Sequence, residues 1–244
     1  MSNLISDIPV VILAGGLGTR LSEETEDKPK PMVRIGEKPI LWHVMNIFAE
    51  QGFKNFIIAT GYKSEIIDTW TKEILEPWNV RVLNTGVESQ TAYRLKKCLE
   101  MYPEDRYFVT YGDGLGNVDL RALLKIHLGH RKIATVTAVR PPARFGVLEI
   151  KDSMVTHFGE KDQASSGWIN GGFFVFEREI ASYIPANTNE VLEANTLPRL
   201  ARDGELVANL HFGFWKPMDT LREKKELEGL IGSGAVPWLK LQGM

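Results

Sequence analysis

Val10-Val11-Ile12-Leu13-Ala14-Gly15-Gly16-Leu17-Gly18-Thr19-Arg20-Leu21, followed by Lys28-Pro29-Lys30-Pro31, is the stretch around which the rest of the chain is read. Val10 to Ala14 is an unbroken apolar run, as in a strand buried on both faces of a parallel sheet. Gly15, Gly16 and Gly18 follow at once. Glycine turns tightly and leaves its N–H groups bare, so a polyphosphate can approach the backbone. Arg20 and Lys30 add a forked guanidinium and a point-charge ammonium to the same loop. Prolines on both sides of Lys30 stiffen the segment that carries it. Two other phosphate loops are excluded. No Gly-Lys-Ser/Thr occurs, so there is no P-loop, and Leu21 stands where a dinucleotide fingerprint needs its third glycine.

The alternation of elements continues from there. Pro39 to Gln51 is predicted as an amphipathic helix with Ile40, Leu41, Val44, Met45, Ile47 and Phe48 inward. Asn55–Thr60 reads as a strand. Ser64 is expected to cap a helix to about Leu75. Val80–Leu83 is a strand, Gln90–Met101 a helix, Tyr107–Tyr111 a strand, and Asp119 to His130 a helix. This pattern predicts a mostly parallel, doubly wound α/β sheet. The second half is richer in strand. Ala134–Val139 is extended, Val147–Ile150 and Met154–His157 form a hairpin, and Trp168–Glu177 and Leu206–His211 are extended. Thr196–Asp203 and Leu221–Leu230 are helical. No Gly/Pro/Ser-rich linker divides the chain, so residues 1–244 are expected to form one domain. Its halves are about 8–130, the nucleotide half, and about 131–244, which looks like an added substrate-binding lobe.

With 244 residues and 43% hydrophobic content the chain can bury a sizeable core. Its net charge of −2 gives no general attraction to nucleic acid or membrane, so anion binding must be local. Cys98 is the only cysteine, which excludes an intrachain disulfide and fits a cytoplasmic setting. No apolar run reaches membrane-spanning length. Cys98 and the five histidines read as packing or surface residues.

In open α/β sheets ligands bind outside the carboxyl ends of the strands. By pattern, the Gly15–Arg20 loop and Asp113 fall there. Asp113, between Gly112 and Gly114, has room for a hydrated Mg²⁺, which favours one or two carboxylates plus substrate phosphates. A turn aspartate is the competing reading. Asp219 is the second carboxylate chosen, although by pattern alone an Asp before Thr220-Leu221-Arg222-Glu223 reads more readily as a helix N-cap.

The first stretch resembles the signature of sugar-phosphate nucleotidylyltransferases. Seven later segments narrow the resemblance to glucose-1-phosphate cytidylyltransferases. They are Ser22-Glu23-Glu24-Thr25, Glu76-Pro77-Trp78-Asn79-Val80, Arg94-Leu95-Lys96-Lys97, Tyr111-Gly112-Asp113-Gly114, Arg144-Phe145-Gly146, Ile169-Asn170-Gly171-Gly172-Phe173-Phe174 and Phe214-Trp215-Lys216-Pro217-Met218-Asp219-Thr220. The resemblance runs from about Val10 to about Trp238. It implies a Rossmann-like mixed sheet between helices, with a β-rich sugar-binding half, as in nucleotide-diphospho-sugar transferases. Leu13, Ala14, Gly15, Gly16, Gly18, Thr19, Arg20 and Lys30 would contact the nucleotide, and Ser89, Arg94 and Gly112 would bind it around base and ribose. Gly146, Glu160, Lys161, Asn170 and Gly171 would form the sugar-phosphate site, and Asp113 and Asp219 would hold Mg²⁺. By pattern alone Glu160-Lys161 is an exposed charged pair, and Asn170-Gly171-Gly172 is equally a strand bulge. Trp42, Phe173, Phe174 and Trp215 read as core.

The resemblance implies transfer of CMP from CTP to α-D-glucose 1-phosphate by a homo-oligomer, with Arg20, Lys30, Asp113, Lys161 and Asp219 as the catalytic set. A different sugar or polyol phosphate, UTP or GTP, and a non-catalytic nucleotide-sugar binding protein are the alternatives. Three departures stand out. Thr91-Ala92-Tyr93 replaces Thr-Gly-Gly, which is expected to put two side chains toward the nucleotide. The connection from Trp70 to Glu76 is short where relatives carry an insert used in subunit contacts. Asp162 stands where proline follows Glu-Lys.

Overall fold

The computed structural model describes residues 5–140, 147–159 and 167–239, with backbone alone at 147–150 and 157–159. Thirteen strands are described. They are β1 (Val10–Leu13), β2 (Arg34–Ile35), β3 (Lys38–Pro39), β4 (Asn55–Thr60), β5 (Asn79–Asn84), β6 (Arg106–Tyr111), β7 (Gly114–Gly116), β8 (Ala134–Val139), β9 (Val147–Lys151), β10 (Met154–Gly159), β11 (Ile169–Glu177), β12 (Leu206–His211) and β13 (Trp215–Pro217). Seven make one sheet in the order β12-β8-β11-β6-β1-β4-β5. Only β11 runs against its neighbours; the other described pairings in this sheet are parallel.

β1 is central because all four of its residues are apolar and buried. Its side chains alternate between two cores, as the period of a strand demands. Val10 and Ile12 join Val44, Phe48, Phe108 and Leu123 on one face. Val11 and Leu13 join Leu95, Cys98, Phe174 and Leu200 on the other. The helix Ile40–Ala49 buries every inward residue the sequence predicted. Cys98 is fully buried, and burial pushes its thiol up to about 12, so it packs rather than reacts.

Three expectations are corrected. Ser64 does not cap the helix Ser64–Lys72. Lys63 does so in a left-handed conformation, and the Ser64 hydroxyl bonds the Thr60 hydroxyl at 2.6 Å. Ala92 is buried at 0% exposure in the second core, and Tyr93 lies beneath the Lys97 ammonium, outside the large cleft. Trp215 is not core. It lines the cleft and donates from Nε1 to the Gly171 carbonyl at 2.8 Å.

The chain leaves β1 for β4 on one side and returns for β6 on the other. That reversal opens a crevice at the carboxyl ends of β1 and β6. β11 runs the opposite way, so its first residues reach the same edge. No described helix is long and apolar enough to cross a membrane.

Candidate active site

A cavity of about 570 Å³ lies at this edge. Leu13, Ala14, Gly16, Gly18, Thr19, Arg20, Lys30, Gly112, Asp113, Asn170, Gly171 and Asp219 all line it. The structure therefore gathers in one cleft twelve residues that the sequence scatters over more than 200 positions. Gly146, Glu160, Lys161 and Asp162 lie outside the described residues.

The charged wall is built locally. Pro29 is extended and ends the loop, and Lys30–Met32 turns as a single 3₁₀ helix with Pro31 in it. This aims Lys30 across the cleft. Its Nζ lies 2.5 Å from Asp113 Oδ2 and 2.5 Å from Asp219 Oδ1. Arg20 Nη1 reaches Asp219 Oδ2 at 3.0 Å with its side chain 75% exposed, free to swing toward a ligand. Burial works against the Lys30 charge, but Asp113 and then Asp219 overcome it, and its pKa stands above the ordinary lysine value.

Two short strands bring the carboxylates together. β7 follows Asp113 directly and pairs antiparallel with β13, Pro217 opposite Gly114. Met218 N–H then donates to the Asp113 carbonyl at 2.9 Å, which sets Asp219 beside Asp113. Asp219 is not the helix cap. Thr220 caps the helix Leu221–Gly232, and Glu223 completes a capping box. The Asp219 carboxylate thus lies on the cleft wall, bonded to Lys30 and Arg20, rather than on the helix end. The two carboxylate oxygens on Lys30 are no more than about 5 Å apart. Hard oxygen donors so placed, half-buried on the wall of an open cleft, suit a Mg²⁺ shared with substrate phosphates.

Gly15, Ser89 and Arg94 are placed differently. Arg94 is buried beneath the loop. Its Nη1 donates to the Thr60 carbonyl at 2.7 Å and the Thr85 hydroxyl at 2.6 Å. Its Nη2 donates to the carbonyls of Gly15 at 2.9 Å and Val87 at 3.1 Å. A Cβ on Gly15 would stand 2.1 Å from Arg94 Nη1, so glycine is required for the guanidinium to lie flat under the loop. Ser89 donates to the Thr85 carbonyl and lines a separate groove. In this structure Arg94 holds the loop, and neither residue lines the cleft.

Asn170-Gly171-Gly172 is a strand irregularity at the edge of the cleft. The register of β11 shifts between Asn170 and Phe174, and Asn170 and Gly171 line the cleft. Gly172 has φ +81°, and a Cβ there would meet the Tyr111 ring at 2.6 Å.

The sequence reading missed Thr91, Tyr111 and Glu193, which line the cleft from three separate elements. Tyr111 OH donates to Glu193 Oε1, and Thr91 Oγ1 donates to Glu193 Oε2 at 2.8 Å. Thr91 was signalled as an N-terminal helix residue and as the first residue of the Thr91-Ala92-Tyr93 departure, and nothing in the local pattern marks Glu193.

Comparison with known proteins gives a consistent picture. The family model described as Nucleotidyl transferase matches residues 9–220. A glucose-1-phosphate cytidylyltransferase of Salmonella typhimurium is 45% identical, over 93% of this chain and 97% of its own length. A D-glycero-alpha-D-manno-heptose 1-phosphate guanylyltransferase of Aneurinibacillus thermoaerophilus is 33% identical, over 70% of this chain and 75% of its own. Among solved structures, HddC from Yersinia pseudotuberculosis complexed with GMP-PN aligns with a TM-score of 0.75 at 25% identity. That match covers 92% of this chain and 99% of that one.

Proposed function

Because the chain belongs to the nucleotidyl transferase family, we propose that it transfers CMP from CTP to α-D-glucose 1-phosphate, releasing pyrophosphate and CDP-glucose. The observation that carries this reading is the convergence of Arg20, Lys30, Asp113 and Asp219 on one wall of the cleft. The choice of CTP and glucose 1-phosphate rests on the near full-length similarity to the Salmonella enzyme.

The acceptor phosphate is already an anion at neutral pH, so the reaction needs no general base and no covalent enzyme intermediate. One acceptor oxygen attacks the α-phosphorus in line. A new P–O bond forms there, the bridge to the β-phosphorus breaks, and its electron pair leaves with pyrophosphate. Catalysis reduces to positioning and charge neutralisation. Asp113 and Asp219 would hold Mg²⁺, which would supply Lewis-acid charge at the reacting phosphates. Lys30 would hold the α-phosphate and Arg20 the departing β,γ-phosphates. The backbone from Leu13 to Thr19 would cradle the nucleotide. Gly112 would back the ribose, and Asn170 and Gly171, with Gly146, Glu160 and Lys161, the sugar phosphate. A cytoplasmic homo-oligomer, one domain per chain, belongs to the same reading.

The test is pyrophosphate release with Mg²⁺ across CTP, UTP, GTP, ATP and dTTP against several sugar 1-phosphates. Turnover greatest with CTP and glucose 1-phosphate is expected. Turnover only in another pairing would overturn the substrate assignment and keep the mechanism, and a blank grid would overturn both.

A further inference from the structure

We propose that Glu193 recognises the acceptor, its carboxylate taking a hydroxyl of the sugar and so turning the phosphate toward Lys30 and the carboxylate pair. This rests on the reading of the acceptor as a sugar 1-phosphate. Glu193 stands on a single π-helical turn, Leu192–Thr196, that brings it to the cleft. Such turns are rare and occur mostly at functional sites. Among the described residues its partners are hydroxyls, from Tyr111 and Thr91, and no lysine or arginine pairs with it. An ionised carboxylate offers about four lone-pair positions. Two are used, so acceptor capacity remains on a group that faces the cavity.

A carboxylate with no lysine or arginine among its described partners is a liability in a cleft built for phosphates. It repels them, and the repulsion is useful only if an uncharged, donor-rich part of the ligand lies there. Sugar hydroxyls are that part. They also donate to carboxylates in short, charge-assisted bonds.

The neighbouring groups complete the other half of the match. The Tyr111 hydroxyl donates to Glu193. Its oxygen is then an acceptor, and Asn170 Nδ2 donates to it at 3.0 Å. Asn170 Oδ1 accepts from Gly172 N–H at 2.8 Å. The amide is thereby fixed, with one Nδ2 hydrogen in use and the other left over. The wall presents a carboxylate acceptor and an amide donor on either side of one phenol. A hydroxyl both donates and accepts, so it can bond to both. Tyr111 is the last residue of β6 and immediately precedes Gly112 and Asp113, which places this wall next to the charged one.

The test is steady-state kinetics with glucose 1-phosphate and its monodeoxy analogues, on the wild type and Glu193→Gln. The substitution keeps the shape and removes the charge and one acceptor. KM for glucose 1-phosphate is expected to rise at least tenfold, with KM for CTP within twofold. One deoxy analogue should lose tenfold or more with the wild type and under twofold with the variant. Losses that simply multiply for every analogue, or an equal rise in KM for CTP, would overturn the proposal and leave Glu193 a packing hub. The wild-type panel stands even if the variant does not fold, because no single deoxy position costing more than twofold would also overturn it. Absence of wild-type turnover with any sugar 1-phosphate refutes the proposed function and this role together. Turnover without a Glu193-dependent hydroxyl refutes this role alone.

Discussion

Replacing Lys30 by methionine should abolish turnover and strengthen cation binding at once. The side chain length is kept and the ammonium is lost. Lys30 now occupies the space between Asp113 and Asp219, 2.5 Å from an oxygen of each and 13% exposed. Those oxygens are the ones a divalent ion would need, so the ammonium and the ion compete for them. Each half-buried ion pair is worth about 1 kcal/mol, and two together about 2 kcal/mol. With about 1.4 kcal/mol per tenfold in affinity, Mn²⁺ should bind the nucleotide-free variant about thirtyfold more tightly than the wild type. The loss of a charged contact to the reacting phosphates costs about 3 kcal/mol, so turnover should fall on the order of a hundredfold or more. Free Mn²⁺ followed by electron paramagnetic resonance, without nucleotide, measures the first quantity, and pyrophosphate release the second. Equal or weaker Mn²⁺ binding by a folded variant would show that Lys30 does not stand in for the ion, and the reasoning would fail.

Arg20→Ala and Asp113→Ala should each reduce pyrophosphate release on the order of a hundredfold or more while circular dichroism stays native, since neither side chain is core. Thr220→Ala should cost about 1 kcal/mol in urea denaturation through loss of the helix cap, whereas Asp219→Asn should keep the cap, cost about 1 kcal/mol through its ion pair with Lys30, and remove activity. His43, His127, His130 and His211 all have pKa values lowered chiefly by burial, so the folded protein keeps them neutral longer than the unfolded chain does. Their contribution is complete above about pH 6.5 and is lost as pH falls below it, by up to about 1.4 kcal/mol per pH unit for each histidine. Urea midpoints at pH 7.5 and 5.5 check this, and a higher midpoint at pH 5.5 would contradict it.

Much of the fold was legible because burial leaves a periodic mark. The apolar run of β1, the alternating elements up to His130, and the bounds of β4, β8 and β12 all follow from local pattern. Ala92 was misread toward the nucleotide, although it stands three and seven residues before Leu95 and Leu99 on the same buried helix face. The pairing of β7 with β13 was not legible. Gly114-Leu115-Gly116 and Trp215-Lys216-Pro217 contain two glycines and a proline, which carry no strand signal. That pairing is nonetheless what sets Asp219 beside Asp113. Glu193 was hidden for a related reason, because a lone acid on one π-helical turn has no period at all. Asp219 was ambiguous because its neighbour Thr220 caps equally well, and only the three-dimensional bonds of Glu223 decide between them.

Arg94 has a consequence beyond holding Gly15 in place. Its guanidinium is 3% exposed, and the four acceptors that bind it are three backbone carbonyls and a hydroxyl. Hydrogen bonds to neutral dipoles spread a charge without cancelling it. A positive charge therefore lies beneath the glycine loop, against the Gly15 carbonyl. At about 8 Å and an effective dielectric of about 20, that is worth about 2 kcal/mol for each negative charge in front of the loop. A residue that does not line the cleft can thus favour polyanions over monoanions in proportion to their charge. The chain as a whole is negative, but the charge beneath this loop is positive.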